Sequence, residues 1–102
     1  MMFKVKVMNV DKLRFIYLEG RIDLSNAGAC EEALIKNMDG VTKLVLDLSN
    51  VAFIDSTGIS GLVAAIKAAH SKSVGFEITQ VPDGINQIFE IIGIYEVLND
   101  FN

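Results

Sequence analysis

Hydrophobic and polar positions along the chain repeat with a period that changes several times. "FKVKV", from Phe3 to Val7, alternates every second residue, as a strand with one covered face does. "LRFIYLEG" follows a turn at Asn9 to Lys12, so the chain opens with a predicted β-hairpin. Ala27, Cys30, Leu34 and Met38 then fall at helical spacing behind Ser25 or Asn26, either of which can cap a helix that ends at Asp39-Gly40. "TKLVLDLS" has few polar positions, which suits a central, covered strand. From Ser56 the spacing turns helical again: Ile59, Leu62, Ile66 and Ala69 share a face, and the pattern runs to about Ser71. "VGFEITQV" reads as a further strand. Pro82-Asp83 opens a third helix with Ile85, Ile88, Phe89 and Ile92 inward and Gly93 closing it, and a last short strand is predicted around Glu96 to Leu98.

The predicted order is β-β-α-β-α-β-α-β. Parallel neighbours need long crossovers, so helices between strands imply one largely parallel sheet after the hairpin. The expectation is an α/β fold in a single domain spanning residues 1–102, with a mixed sheet of about four to five strands and three crossover helices mainly on one side. Leu46, Leu62, Ile66, Phe89 and Ile92 are the predicted core.

Composition narrows the function. A chain of 102 residues is one domain's length, and 51% hydrophobic content with one proline marks it as globular. The net charge of −4, with no Lys/Arg cluster, argues against nucleic acid or an anionic membrane as the main partner. No signal-peptide core opens the sequence, and "ISGLVAAI" is interrupted by Lys67 well short of membrane-spanning length. A soluble cytoplasmic domain is expected. Cys30 is the only cysteine and His70 the only histidine, which leaves neither a thiolate cage nor a metal-ligand cluster, so no cofactor or metal is expected.

The chemistry concentrates in "FIDSTGISGL", Phe53 to Leu62, where an apolar run stops at Asp-Ser-Thr-Gly and a helix begins. Asp, Ser and Thr are preferred N-cap residues, because their oxygens accept from the free N–H groups of a first helical turn. Capping is the simplest reading of their presence, and a hydroxyl presented for modification is another. A Ser hydrolase needs a base, and His70 lies fourteen residues further along the same helix, roughly 20 Å from Ser56 at 1.5 Å rise per residue. "GISGL" is not a nucleophile elbow, and neither a Walker loop nor G-x-G-x-x-G occurs. An enzyme is therefore not expected. On a helical projection Ser56, Ser60 and Lys67 share one stripe with Val63 beside them, a surface suited to another protein.

"VTKLVLDLSNVAFIDSTGISGLVAAIKAAHSKSVGFEI" resembles the heart of an STAS domain, in particular that of the bacterial anti-sigma factor antagonists. "LEGRIDLSNA" is similar to the family's second signature, a strand ending in Gly, two variable positions and Asp; "IFEIIGIYEVL" resembles its third helix and the approach to its last strand. The resemblance implies a switch. Ser56 matches the serine that a partner, both anti-sigma factor and serine kinase, phosphorylates, and a phosphoserine phosphatase resets it. The unphosphorylated protein would hold the anti-sigma factor and so release a sigma factor for transcription. Asp23 matches an aspartate near that serine, which otherwise reads as an exposed strand-end carboxylate or an Asx-type turn into "LSNA". Thr57 and Gly58 match the turn that presents the hydroxyl. The contact surface implied comprises Asp23, Ser25, Asn26, Asp55, Ser56, Thr57, Gly58, Ser60 and Val63. The family's usual final helix is expected to be short or absent, since the pattern runs out at "NDFN". The alternatives are a non-phosphorylated STAS scaffold or transporter-associated module, and a nucleotide-binding regulatory domain drawing on a helix N-terminus.

Overall fold

The computed structural model describes residues 3–101, so Met1, Met2 and Asn102, which the sequence reading includes in the domain, lie outside the described residues. Eight elements follow one another: β1 (Phe3–Val10), β2 (Leu13–Ile22), α1 (Ala27–Lys36), β3 (Lys43–Ile54), α2 (Ser56–Ser71), β4 (Gly75–Thr79), α3 (Asp83–Ile92) and α4 (Ile94–Phe101). The four strands form one mixed sheet in the order β1-β2-β3-β4. The hairpin β1–β2 is antiparallel, while β2, β3 and β4 run parallel.

Both crossovers step in the same direction across the sheet, so right-handed connections bring α1 and α2 onto one face. Under them lies the core, built from alternate residues of the central strands: Ile16, Leu18 and Ile22 of β2, and Leu44, Leu46 and Leu48 of β3. The helices add Cys30 and Leu34 from α1 and Leu62, Ala65, Ile66 and Ala69 from α2. Past Leu48 the inward residues of β3 become Val51 and Ile54, and the β2–β3 register shifts twice over the same stretch. Gly20, at φ 98°, takes up part of this irregularity in a conformation that favours glycine.

The structure bears out the α/β class, the opening hairpin and the first three helices. It corrects the end of the chain. Glu96 to Leu98 form no strand but lie within α4, so α3 leads into a helix and the sheet closes at four strands. Gly93 caps α3 in the left-handed region at φ 78°, which turns the chain straight into α4. There Ile94 and Leu98, four residues apart, are buried, and Tyr95 stacks edge-on against Phe89 at 6.2 Å and donates a hydrogen bond to Asn86. Of the predicted core, Leu46, Leu62, Ile66 and Phe89 are buried, but Ile92 is 48% exposed. Ile88 is also exposed, so the buried side chains of α3 are Ile85 and Phe89.

Candidate functional site

The site forms where the parallel strands β2 and β3 end together. Ile22 and Ile54 are register partners, and the Asp55 N–H donates to the Ile22 carbonyl at 3.2 Å. The segments that follow, Asp23–Asn26 and Asp55–Ser56, therefore leave the sheet side by side at its carboxyl end, where open α/β sheets commonly build their sites.

Asp23 organises the first segment. Its carbonyl accepts from the N–H groups of Asn26 and Ala27 at 3.0 and 2.8 Å, and its Oδ1 accepts from the Ser25 N–H at 3.0 Å and the Ser25 hydroxyl at 2.5 Å. Asn26 stands at the N-cap position of α1 but does not cap it with its side chain, contrary to the sequence expectation. Instead its Oδ1 accepts from the Asp23 N–H and its Nδ2 donates to the Arg21 carbonyl, at 2.9 and 2.8 Å. At 6% exposure, Asn26 is a buried pin that fixes the turn. The Ser25 hydroxyl holds the Asp23 carboxyl below the usual carboxylate range, while the nearby Asp55 charge pushes the other way.

The second segment settles which residue caps α2. Asp55 does, from an extended backbone at φ −104° and ψ −174°. Its Oδ1 accepts from the Thr57 N–H at 2.9 Å, the Gly58 N–H at 3.0 Å and the Thr57 hydroxyl at 2.5 Å. These bonds, the Thr57 hydroxyl foremost, lower its pKa, and the Leu24 N–H from the first segment adds to the effect. Asp55 and Thr57 are thus committed to the cap. Ser56, between them, is exposed at the first position of α2, and its hydroxyl has no hydrogen-bond partner among the described residues.

Gly58 explains why α2 can start so close to the strands. A Cβ there would lie 2.7 Å from Ile54 Cγ1 and 2.9 Å from Ile22 Cγ2, closer than packed carbons approach. One turn on, Ser60 is exposed and Val63 half-buried, both on the stripe the sequence predicts. Lys67 continues it, with its ammonium 5.9 Å from the Phe101 ring centroid. His70 is exposed at the other end of α2, where Nδ1 lies 3.0 Å from the Phe101 carbonyl oxygen. Cys30 is buried in α1, and desolvation pushes its pKa up to about 11. Among the described residues no group of three or more His, Cys, Asp or Glu side chains is placed to hold a metal ion.

Sequence reasoning missed Leu24 and the pair Arg21–Phe53. Leu24, between Asp23 and Ser25, is 79% exposed. The Arg21 guanidinium sits 4.2 Å over the Phe53 ring at the same end of the sheet. The available signal was an apolar residue placed after the strand's alternation has ended.

The STAS domain family model matches residues 4–102. The chain belongs to the STAS domain family. Among relatives, this STAS domain is 28% identical over 100 residues to the anti-sigma-B factor antagonist of Staphylococcus aureus strain NCTC 8325, covering 97% of this chain and 93% of that protein. Among solved structures, an anti-sigma factor antagonist from Mycobacterium paratuberculosis superposes with a TM-score of 0.79 at 23% identity, over 98% of this chain and 91% of that one. The anti-sigma factor antagonist SpoIIAA in its unphosphorylated form gives 0.68 at 14% identity, over 87% and 82%. At these identities the structural likenesses establish the fold. Within the described residues no helix is long and apolar enough to cross a membrane.

Proposed function

We propose that this STAS domain is a cytoplasmic anti-sigma factor antagonist, a non-enzymatic binding module switched by phosphorylation of Ser56. The relative's name supports the antagonist role, and the observation that carries the switch is the uncommitted Ser56 hydroxyl. Its neighbours Asp55 and Thr57 hold the helix cap, so Ser56 is exposed, spent on nothing structural, and held in place by a rigid frame. A kinase can take such a hydroxyl without dismantling the fold. In this reading Asp23, Ser25, Asp55, Thr57, Ser60 and Val63 surround Ser56 on the face presented to the partner. Asn26 and Gly58, both buried, position that face rather than touch the partner.

Phosphorylation adds about −1.5 to −2 charge at neutral pH. In the free protein the N-terminus of α2 favours the anion by roughly 0.3–1 kcal/mol, and the solvated carboxylates of Asp55 and Asp23 oppose it through high-dielectric water. These effects nearly cancel, so the fold survives. In the complex the hydroxyl is covered, and the Asp55–Ser60 stretch has no basic residue to meet a dianion. An uncompensated buried charge costs several kcal/mol, and about 4 kcal/mol weakens binding roughly a thousandfold. A phosphoserine phosphatase resets the switch.

Incubation with a serine-kinase anti-sigma factor and ATP, followed by phosphosite mapping, should find phosphate on Ser56. By titration calorimetry Ser56→Ala should bind that partner constitutively and Ser56→Glu poorly, while both melt near wild type. Equal binding by Ser56→Glu and Ser56→Ala would remove the switch and make a passive STAS scaffold the better account.

A further inference from the structure

We propose that Leu24 is an apolar docking knob that inserts into a hydrophobic pocket of the anti-sigma factor beside Ser56 and sets which anti-sigma factor this chain accepts. The inference rests on the reading of Ser56 as the partner-facing residue. Single exposed leucines are common on protein surfaces, but two features set this one apart. Its backbone is clamped on both sides: Asp23 takes four hydrogen bonds from Ser25, Asn26 and Ala27, and Asn26 closes the turn through Arg21 and Asp23. A leucine on such a turn cannot fold back onto the core, and it stands 79% exposed. The strand register also brings it to the serine's end of the sheet: Ile22 and Ile54 are partners and the Asp55 N–H donates to the Ile22 carbonyl, so Leu24 and Ser56 each stand two residues beyond the paired strand ends. Leu24 is thus held on a fixed turn at the same end of the sheet as the exposed Ser56 hydroxyl.

The same sheet end carries Phe53, 37% exposed and covered on one face by Arg21. An apolar side chain flanked by the polar Asp23 and Ser25 has the anatomy of an interface centre, apolar within a polar rim. Rigid presentation lowers the ordering cost of association, so the side chain's burial translates into affinity with little offset.

The test uses the full chain and purified serine-kinase anti-sigma factors from the genome that encodes it, taken singly until one binds the wild type. Against that protein Leu24→Ala should weaken binding by roughly tenfold to a hundredfold, Leu24→Asp more, and Leu24→Met should recover most of it. All three variants should melt with the wild type and keep the contrast between Ser56→Ala and Ser56→Glu when combined with them. Wild-type affinity in Leu24→Ala, with the Ser56 contrast intact, would overturn the knob and leave the switch standing. Loss of the Ser56 contrast in an otherwise wild-type chain, or binding to none of these proteins, would overturn the switch itself and the knob with it. If Leu24→Asp instead disperses a homodimer of the wild type in sedimentation while partner binding is unchanged, Leu24 serves self-association and the proposal fails.

Discussion

Replacing Gly58 by alanine adds one carbon at the tightest point of the site. That Cβ would meet Ile54 Cγ1 at 2.7 Å, Ile22 Cγ2 at 2.9 Å and the Ile22 carbonyl oxygen at 3.2 Å. Ile22 and Ile54 are themselves buried, at 1% and 4% exposure, so neither can swing aside into solvent. Relief must come from moving the first turn of α2 away from the strand ends. Overpacking of this kind costs about 1–3 kcal/mol, and the better helix propensity of alanine returns at most about 1 kcal/mol. A net loss of up to about 2 kcal/mol should lower the melting midpoint of a domain this size by about 4–8 °C per kcal/mol. Urea unfolding at neutral pH and thermal melts measure both. A double-mutant cycle isolates the cause: Ile54→Ala alone should cost about 2–5 kcal/mol, but with Gly58→Ala it vacates the space the new Cβ needs, so the double variant should lose less than the sum. Strict additivity in the cycle would refute the close approach as the reason for this glycine.

The Asp55 cap has a pH signature: its carboxyl titrates lower in the folded protein, so its contribution is present above the unfolded value near pH 4 and disappears as pH falls through the native value. Asp55→Asn should therefore show a shallower loss of melting temperature between pH 6 and pH 3 than the wild type; identical acid limbs would exclude the cap as an acid-labile element. Phe89→Ala should cost about 3–5 kcal/mol, since Phe89 is fully buried, whereas Ile92→Ala, half exposed, should stay under about 1 kcal/mol in the same urea titration. Equal losses at the two positions would mean that α3 packs through a different face. The Cys30 thiol, buried and with its pKa pushed up to about 11, should resist a thiol-reactive disulfide reagent at pH 8 in the native protein and react at once in denaturant.

The sequence by itself determined what depends on neighbours along the chain. Alternation in "FKVKV" and "LRFIYLEG" foretold the hairpin, because a strand with one covered face must repeat every second residue. The apolar spacings of α1 and α2 likewise came from local periodicity, and Asp-Ser-Thr-Gly marked a helix start because three capping residues stand together there. The tertiary structure alone decided what depends on residues far apart. Any of the three could have capped α2; the pairing of β3 beside β2 put Asp55 on the Thr57 and Gly58 amides, and that freed Ser56. The same parallel pairing brought Asp23 and Leu24 to Asp55 from thirty-odd residues earlier, a proximity no spacing rule contains. "IYEVL" was the hardest stretch to read, because Tyr95 and Val97 fit a strand's period while Ile94 and Leu98 fit a helix's. The packing of α4 against α2 and α3 settled it as a helix: Ile94 and Leu98 are buried while Glu96 between them is exposed, whereas a strand would put all three on one face, and the left-handed Gly93 delivers the chain into the helix directly. Local pattern fixes which residues can form an element, and only packing chooses which of their faces, and which of their hydroxyls, is left for a partner.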